Sequence, residues 1–159
     1  LFDMVGYEML TRILALVTML SLSPAVKAHV VGGNVAYEES GTSLLGYEAY
    51  NASNSSPMPI VIIVPNWDGI HQPSDHYERE RAVMLAELGY YAFVADIYGP
   101  DALSETAGFQ EFGAQAGIYL GNPESFVQRI QAAIDAAKSS AVSIDTSKVV
   151  AIGYCFGGT

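Results

Sequence analysis

Five consecutive apolar residues, Ile60-Val61-Ile62-Ile63-Val64, stand between a polar, proline-punctuated stretch and Pro65-Asn66-Trp67-Asp68-Gly69. A β-branched run without polar alternation belongs to a strand covered on both faces, and such strands occur in parallel sheets flanked by helices. The run therefore requires further strands of its own kind and helices long enough to cover them.

Both are present. Downstream, YERERAVMLAELG places Val83, Leu85 and Leu88 toward one side of a helix. Ser74 and Asp75 offer an N-cap, Glu78 follows Asp75 at capping-box spacing, and Gly89 stops the helix. Tyr90 to Ala95 is a second buried strand, with Tyr90, Tyr91 and Phe93 as core, and it leads to Asp96. The Gly-, Ala- and aromatic-rich stretch from Ile97 to Gly121 reads as one irregular helix around Thr106 to Tyr119. Asn122-Pro123 starts a clearer helix, because Asn caps well and Pro is tolerated at the first helical position. Phe126, Ile130, Ala133 and Ile134 share its apolar face. The polar SIDTS reads as a turn before a last strand, Val149 to Ile152. Upstream, Val35 to Glu39 and Ser43 to Tyr50 alternate around Ser40-Gly41-Thr42, as in a hairpin. The predicted fold class is α/β, a mostly parallel sheet preceded by an antiparallel hairpin. With 159 residues, half of them apolar, one core and one domain are expected.

Residues 1–28 read as an address label. From Met9 the order is Arg12, an apolar run over 13–22, Ser23-Pro24, and small residues before a cut after Ala28. That is the pattern of a signal peptide, and the run is shorter than the roughly 20 residues a membrane span needs. The expectation is a secreted or periplasmic protein with no stable membrane span after cleavage, and a folded domain over 29–159.

Composition narrows the chemistry. The net charge is −10, with seven Lys and Arg residues scattered along the chain, and nucleic-acid binding needs clustered basic residues. A single cysteine, Cys155, allows neither an internal disulfide nor a cysteine metal cluster. Gly153, Gly157 and Gly158 fit neither the dinucleotide fingerprint nor a P-loop. No metal and no cofactor are expected.

Functional groups in open parallel sheets gather at the carboxyl ends of the strands. Three such ends stand out: PNWDGIH at 65–71, DIYG at 96–99 and GYCFGG at 153–158. The last has the spacing of a nucleophile elbow with cysteine in the nucleophile position. The central residue sits on a strained turn, and the flanking Gly153 and Gly157 remove the clashes that side chains would make there. A helix beginning after Gly157 would aim its N-terminal amides at Cys155 and favour the thiolate. Asn66, Asp68 and Asp96 are possible site-lining residues, although Asp68 also suits a turn and Asp96 a cap. His71 and His76 read as solvated loop and helix-start histidines, and Arg79 and Arg81 as helix-surface partners of acidic neighbours.

Gly46-Tyr47, IVIIVPNWDG, RAVMLAELGYYAFVADIYG and GYCFGG together resemble the dienelactone hydrolase family of α/β-hydrolases, from about Val35 to Thr159. The resemblance implies an α/β-hydrolase-like sheet, with Cys155 as nucleophile and the backbone N–H groups of Phe156 and Trp67 as the two oxyanion donors. It implies attack of the Cys155 thiolate on a small-molecule ester or lactone, an acyl-enzyme, and hydrolysis by water. Asn66 stands where well-known members carry a glutamate that pairs with the resting thiol. Between Ile97 and Asn122 there is no Arg or Lys to hold a substrate carboxylate. The family's acid and histidine follow the nucleophile in sequence, whereas four residues follow Cys155 here. The stretch is thus expected to be the N-terminal part of a longer domain, with an incomplete triad. The alternatives are a non-catalytic binding protein of the same fold, in which Cys155 is inert, and an inactive truncated gene product.

Overall fold

The computed structural model describes residues 28–72 and 76–159. The expected leader lies outside the described residues apart from Ala28, as do the N-cap candidates Ser74 and Asp75.

The chain opens on the hairpin. Strand β1 (Val30–Glu39) pairs antiparallel with β2 (Thr42–Asn51), in register from Val30 opposite Asn51 to Glu39 opposite Thr42. The turn needs only Ser40 and Gly41, with φ of 48° and 80°. Two successive positive φ values match the right-handed twist of the strands they join.

The alternating part follows as β3 (Met58–Val64), α1 (Tyr77–Glu87), β4 (Tyr91–Val94), α2 (Phe109–Leu120), α3 (Pro123–Lys138) and β5 (Ile144–Gly153). The five strands form one sheet in the order β1-β2-β4-β3-β5. β3 runs parallel to β4 and β5, and β2 joins antiparallel to β4. β3 lies between β4 and β5 and is covered on both faces, which explains its lack of alternation. Ile60, Ile62 and Val64 pack toward Phe93, Tyr119, Phe126 and Ala133, whereas Ile63 packs with Ala82, Ala86, Ala92 and Val94 on the opposite face. Each face meets a helix, so neither can be polar.

Three local expectations change, the first at Tyr90, which precedes β4 and is exposed rather than core. In α1, Glu78, Ala82 and Ala86 are the buried residues, Val83 and Leu85 only flank the core, and Leu88 is 74 % exposed. The small Ala82 and Ala86, one turn apart on the same face as Glu78, let the helix sit close to the sheet, so a large side chain is not needed there. The Glu78 carboxylate reaches the loop after β3, where its Oε1 accepts the Asn66 N–H, and its expected capping partner Asp75 lies outside the described residues. All of the SIDTS segment after Ser143 lies within β5 rather than in a separate turn, and there the pairing jumps from Pro59 opposite Asp145 to Ile60 opposite Val149. Residues 146–148 bulge out, and Asp145 accepts from the Ser147 N–H at 3.1 Å and pairs with Lys148 at 2.9 Å.

Capping at α3 is as expected, since Asn122 Oδ1 accepts the Ser125 N–H at 3.2 Å. Arg129 fastens that helix to the hairpin end, pairing with the Glu39 carboxylate at 3.0 Å and donating to its carbonyl at 3.2 Å. Among the described residues no helix is long and apolar enough to cross a membrane.

Two truncations test which α1 and β3 residues carry the core. Ile62→Ala, at a site with no exposure, is expected to cost about 2–5 kcal/mol in urea unfolding. Leu88→Ala is expected to stay within about 0.5 kcal/mol of the parent.

Candidate functional site

The elbow is built from main chain. β5 keeps its pairing past its last residue, with the Tyr154 N–H donating to the Val64 carbonyl at 3.1 Å. The backbone then reverses at Cys155, whose φ is 51°. A short 3-10 turn, Cys155–Gly158, begins there, with the Gly157 N–H donating to the Tyr154 carbonyl at 2.9 Å. Cysteine gains nothing from the left-handed region, which costs a non-glycine residue of order 1 kcal/mol or more, so its surroundings must impose it. They do so by close approach. A Cβ on Gly153 would strike the Gly157 backbone, and one on Gly157 would strike the carbonyl oxygens of Val64 and Pro65. Only two glycines let these segments pass, and the result leaves Cys155 exposed at the carboxyl end of the parallel strands. The 3-10 turn starts at Cys155 itself and runs to Gly158.

The loop after β3 faces the same sheet end. Asn66 uses its side chain to shape the loop, its Oδ1 accepting the Asp68 N–H at 2.9 Å while its carbonyl accepts the Gly69 N–H at 3.2 Å. Asn66 and Asp68 are thereby turn-forming residues. The Trp67 carbonyl accepts the Tyr98 hydroxyl at 3.1 Å, whereas among the described residues no acceptor takes the Trp67 N–H. The indole stacks on Phe109 at 5.7 Å and meets the edge of Phe112 at 6.1 Å. Phe156 turns the other way, into the core, 4.8 Å from the Phe126 ring and 5.9 Å from the Tyr98 ring.

Tyr98 thus touches both residues expected to supply oxyanion amides. Burial first, then the neighbouring Tyr119 and Asp68, push its phenol well above the ordinary value. It remains a protonated donor to Trp67 at any working pH.

Tyr98 is in turn set by Asp96, which is 2 % exposed. Asp96 Oδ1 accepts the N–H groups of Tyr98 at 3.1 Å and Gly99 at 2.9 Å. Its Oδ2 accepts the Leu45 N–H at 2.9 Å and lies 2.9 Å from His71 Nε2. The backbone at Asp96 is also held, its N–H donating to the Tyr37 hydroxyl at 2.9 Å. Capping of the following turn is therefore one of several tasks of Asp96. His71 is a partner of that carboxylate rather than a solvated loop residue. Asp68, His71, Asp96, Tyr98 and Gly99 line a cavity of about 10 Å³, close to the minimum for a single water. This cluster is packed support, not a substrate pocket.

The site residues expected from sequence consequently fall into two groups. Cys155, Gly153, Gly157, Phe156 and Trp67 sit at one sheet end, with the last two bridged by Tyr98. Asn66 Oδ1 and both carboxylate oxygens of Asp96 are engaged in holding the loops, and Asp68 joins the Asn66 turn through its backbone N–H. Sequence reasoning missed Tyr98, His71, Glu78 and Arg79; the alternation of YERERA signals a surface helix, and only the fold shows which members turn inward. Among the described residues no group of three or more His, Cys, Asp or Glu converges as a metal site would.

The family model of the Dienelactone hydrolase family matches residues 47–159. Among solved structures, the chain is similar to a dienelactone hydrolase-like promiscuous phosphotriesterase from metagenomic libraries, at 32% identity and a TM-score of 0.71, covering 81% of this chain and 51% of that one. A protein designated m3DLH is 26% identical with a TM-score of 0.72, over 82% of this chain and 51% of that one. A protein of Klebsiella pneumoniae subsp. pneumoniae assigned as a dienelactone hydrolase shares the fold at 20% identity and a TM-score of 0.64, over 82% and 52%. The chain spans about half the length of these solved proteins. No curated protein matches it.

Gly157→Ala tests the elbow. The added methyl group has to displace the Val64–Pro65 backbone, with an expected loss of about 1–3 kcal/mol in thermal or urea unfolding. Labelling with a thiol-reactive disulfide, which reads the single cysteine alone, should change rate in the same variant. An unaltered melting curve and labelling rate would mean that the close approach is not what holds Cys155.

Proposed function

Given that the chain belongs to the dienelactone hydrolase family, we propose that it carries the nucleophile and oxyanion elements of an ester or lactone hydrolase that acts through Cys155. The observation that carries this reading is the backbone of Cys155, held at φ 51° between two glycines at the strand end and exposed there. Strain maintained by close backbone contact at an exposed thiol is costly for a core residue and useful for a nucleophile.

In the proposed reaction the Cys155 sulfur, its proton passed to a base, bonds to the carbonyl carbon. The carbonyl π pair moves onto oxygen, where the N–H groups of Phe156 and Trp67 receive it. Collapse of the tetrahedral species expels the alkoxide, which takes a proton and departs, leaving a thioester. Water then attacks the thioester carbon by the same route, releasing the acid and restoring the thiol. The open Trp67 N–H supports this assignment, and one oxyanion donor is typically worth about 10²-fold to 10³-fold in rate.

The substrate side is best suited to neutral esters. The stretch between Ile97 and Asn122 contains no Lys or Arg and contributes Asp101, Glu105 and Glu111, which disfavour a substrate bearing its own carboxylate. The competing reading is a binding protein of the same fold with an inert Cys155. Asn66 favours it, because its amide is spent on the loop turn and brings no carboxylate to the thiol.

Turnover of a p-nitrophenyl ester by the full-length protein separates the two. Cys155→Ala is expected to lower kcat by about 10³-fold or more, and equal rates would remove Cys155 from the reaction.

A further inference from the structure

We infer that Glu78 and Arg79, consecutive residues in the first turn of α1, are positioning residues that hold the Trp67 loop at its two ends and thereby set the aim of the Trp67 amide. At the entry of the loop, Glu78 Oε1 accepts the Asn66 N–H at 3.1 Å from a side chain that is 1 % exposed. At the exit, Arg79 Nη2 donates to the Ile70 carbonyl at 3.2 Å. Arg79 is itself braced by a bond from Nη1 to Asn34 Oδ1 at 3.1 Å, with its guanidinium 4.9 Å from the centre of the Tyr47 ring. An acceptor meets the one loop end and a donor the other, so each side chain matches the backbone group it faces.

Between these ends the Trp67 carbonyl accepts the Tyr98 hydroxyl. With the Asn66 N–H and the Trp67 carbonyl both held, the peptide plane bearing the Trp67 N–H is pinned on either side. The same helix turn also reaches the elbow, because the Tyr77 and Tyr154 rings meet edge to face at 5.0 Å and Tyr154 precedes Cys155. Burial, then Tyr77, raises the Tyr154 phenol, Glu78 adds to that rise and Arg81 opposes it, which accords with Glu78 lying near both loops. The first turn of α1 therefore touches the Trp67 loop through Glu78 and Arg79 and the residue before Cys155 through Tyr77.

This inference rests on the reading of Trp67 as an oxyanion donor, and the test keeps the two apart. Trp67 is the only tryptophan of the chain, so acrylamide quenching of its fluorescence reports the loop whether or not there is turnover. Glu78→Leu fills the buried space but cannot accept, and is expected to raise the quenching constant about 2-fold and lower kcat for a p-nitrophenyl ester by about 10-fold, with KM changed by less than about 3-fold. Glu78→Gln keeps an accepting oxygen and should remain within about 2-fold of the parent in both readings. Arg79→Met should move both in the direction of Glu78→Leu, and it decides the matter if the leucine variant does not fold. Unchanged quenching in Glu78→Leu or, failing that, in Arg79→Met overturns the inference, as does a glutamine variant as impaired as the leucine one. A parent without turnover refutes the hydrolase reading alone, because quenching still reports the clamp.

Discussion

A carboxylate removed from water has to be repaid with hydrogen bonds, and Asp96 draws its four donors from three separate stretches of chain. Leu45 comes from the hairpin, His71 from the loop after β3, and Tyr98 with Gly99 from the turn after β4. Leaving even one buried partner unpaired typically costs about 1–3 kcal/mol, so the three stretches are held together or released together. Tyr98 carries that order outward, its amide on Asp96, its hydroxyl on Trp67 and its ring against Phe156. The strand-end loops are thus arranged around one interior charge rather than each folding on its own.

The sheet supplies the setting in which such a charge can exist. β3 and β4 are covered on both faces, by α1 on one side and by α2 and α3 on the other. Polar backbone groups emerge from the apolar layers only where those strands end, so the polar contacts concentrate there. The alanines of α1 bring that helix close enough for its first turn to reach the loop after β3. Packing of the smallest apolar side chains thereby determines which charged residues become interior.

Much of this was legible in the residues themselves. The uninterrupted IVIIV run implied a doubly covered strand, Asn122-Pro123 implied the start of α3, and the Gly153, Cys155, Gly157 spacing implied a strained turn after a strand. Each signal is local, because periodicity, capping and close glycine packing act over a few residues. The apolar face of α1 was misjudged because periodicity weighs Leu88 above Ala82, whereas helix-to-sheet distance favours the smaller residue. The bulge in β5 hid behind a polar composition that suits a free turn equally well. The roles of Tyr98, His71 and Glu78 are not legible for a different reason: their partners lie 12 to 31 residues away in sequence, and composition carries no record of who meets whom across the fold.

Because the elbow is shaped by main chain pressed against main chain, the side chain at position 155 contributes nothing to its own placement. Location and reactivity are separable properties at this point of the molecule. A hydroxyl could stand where the sulfur stands without any neighbour moving, so such a scaffold can explore different nucleophiles by single substitutions while its architecture stays constant.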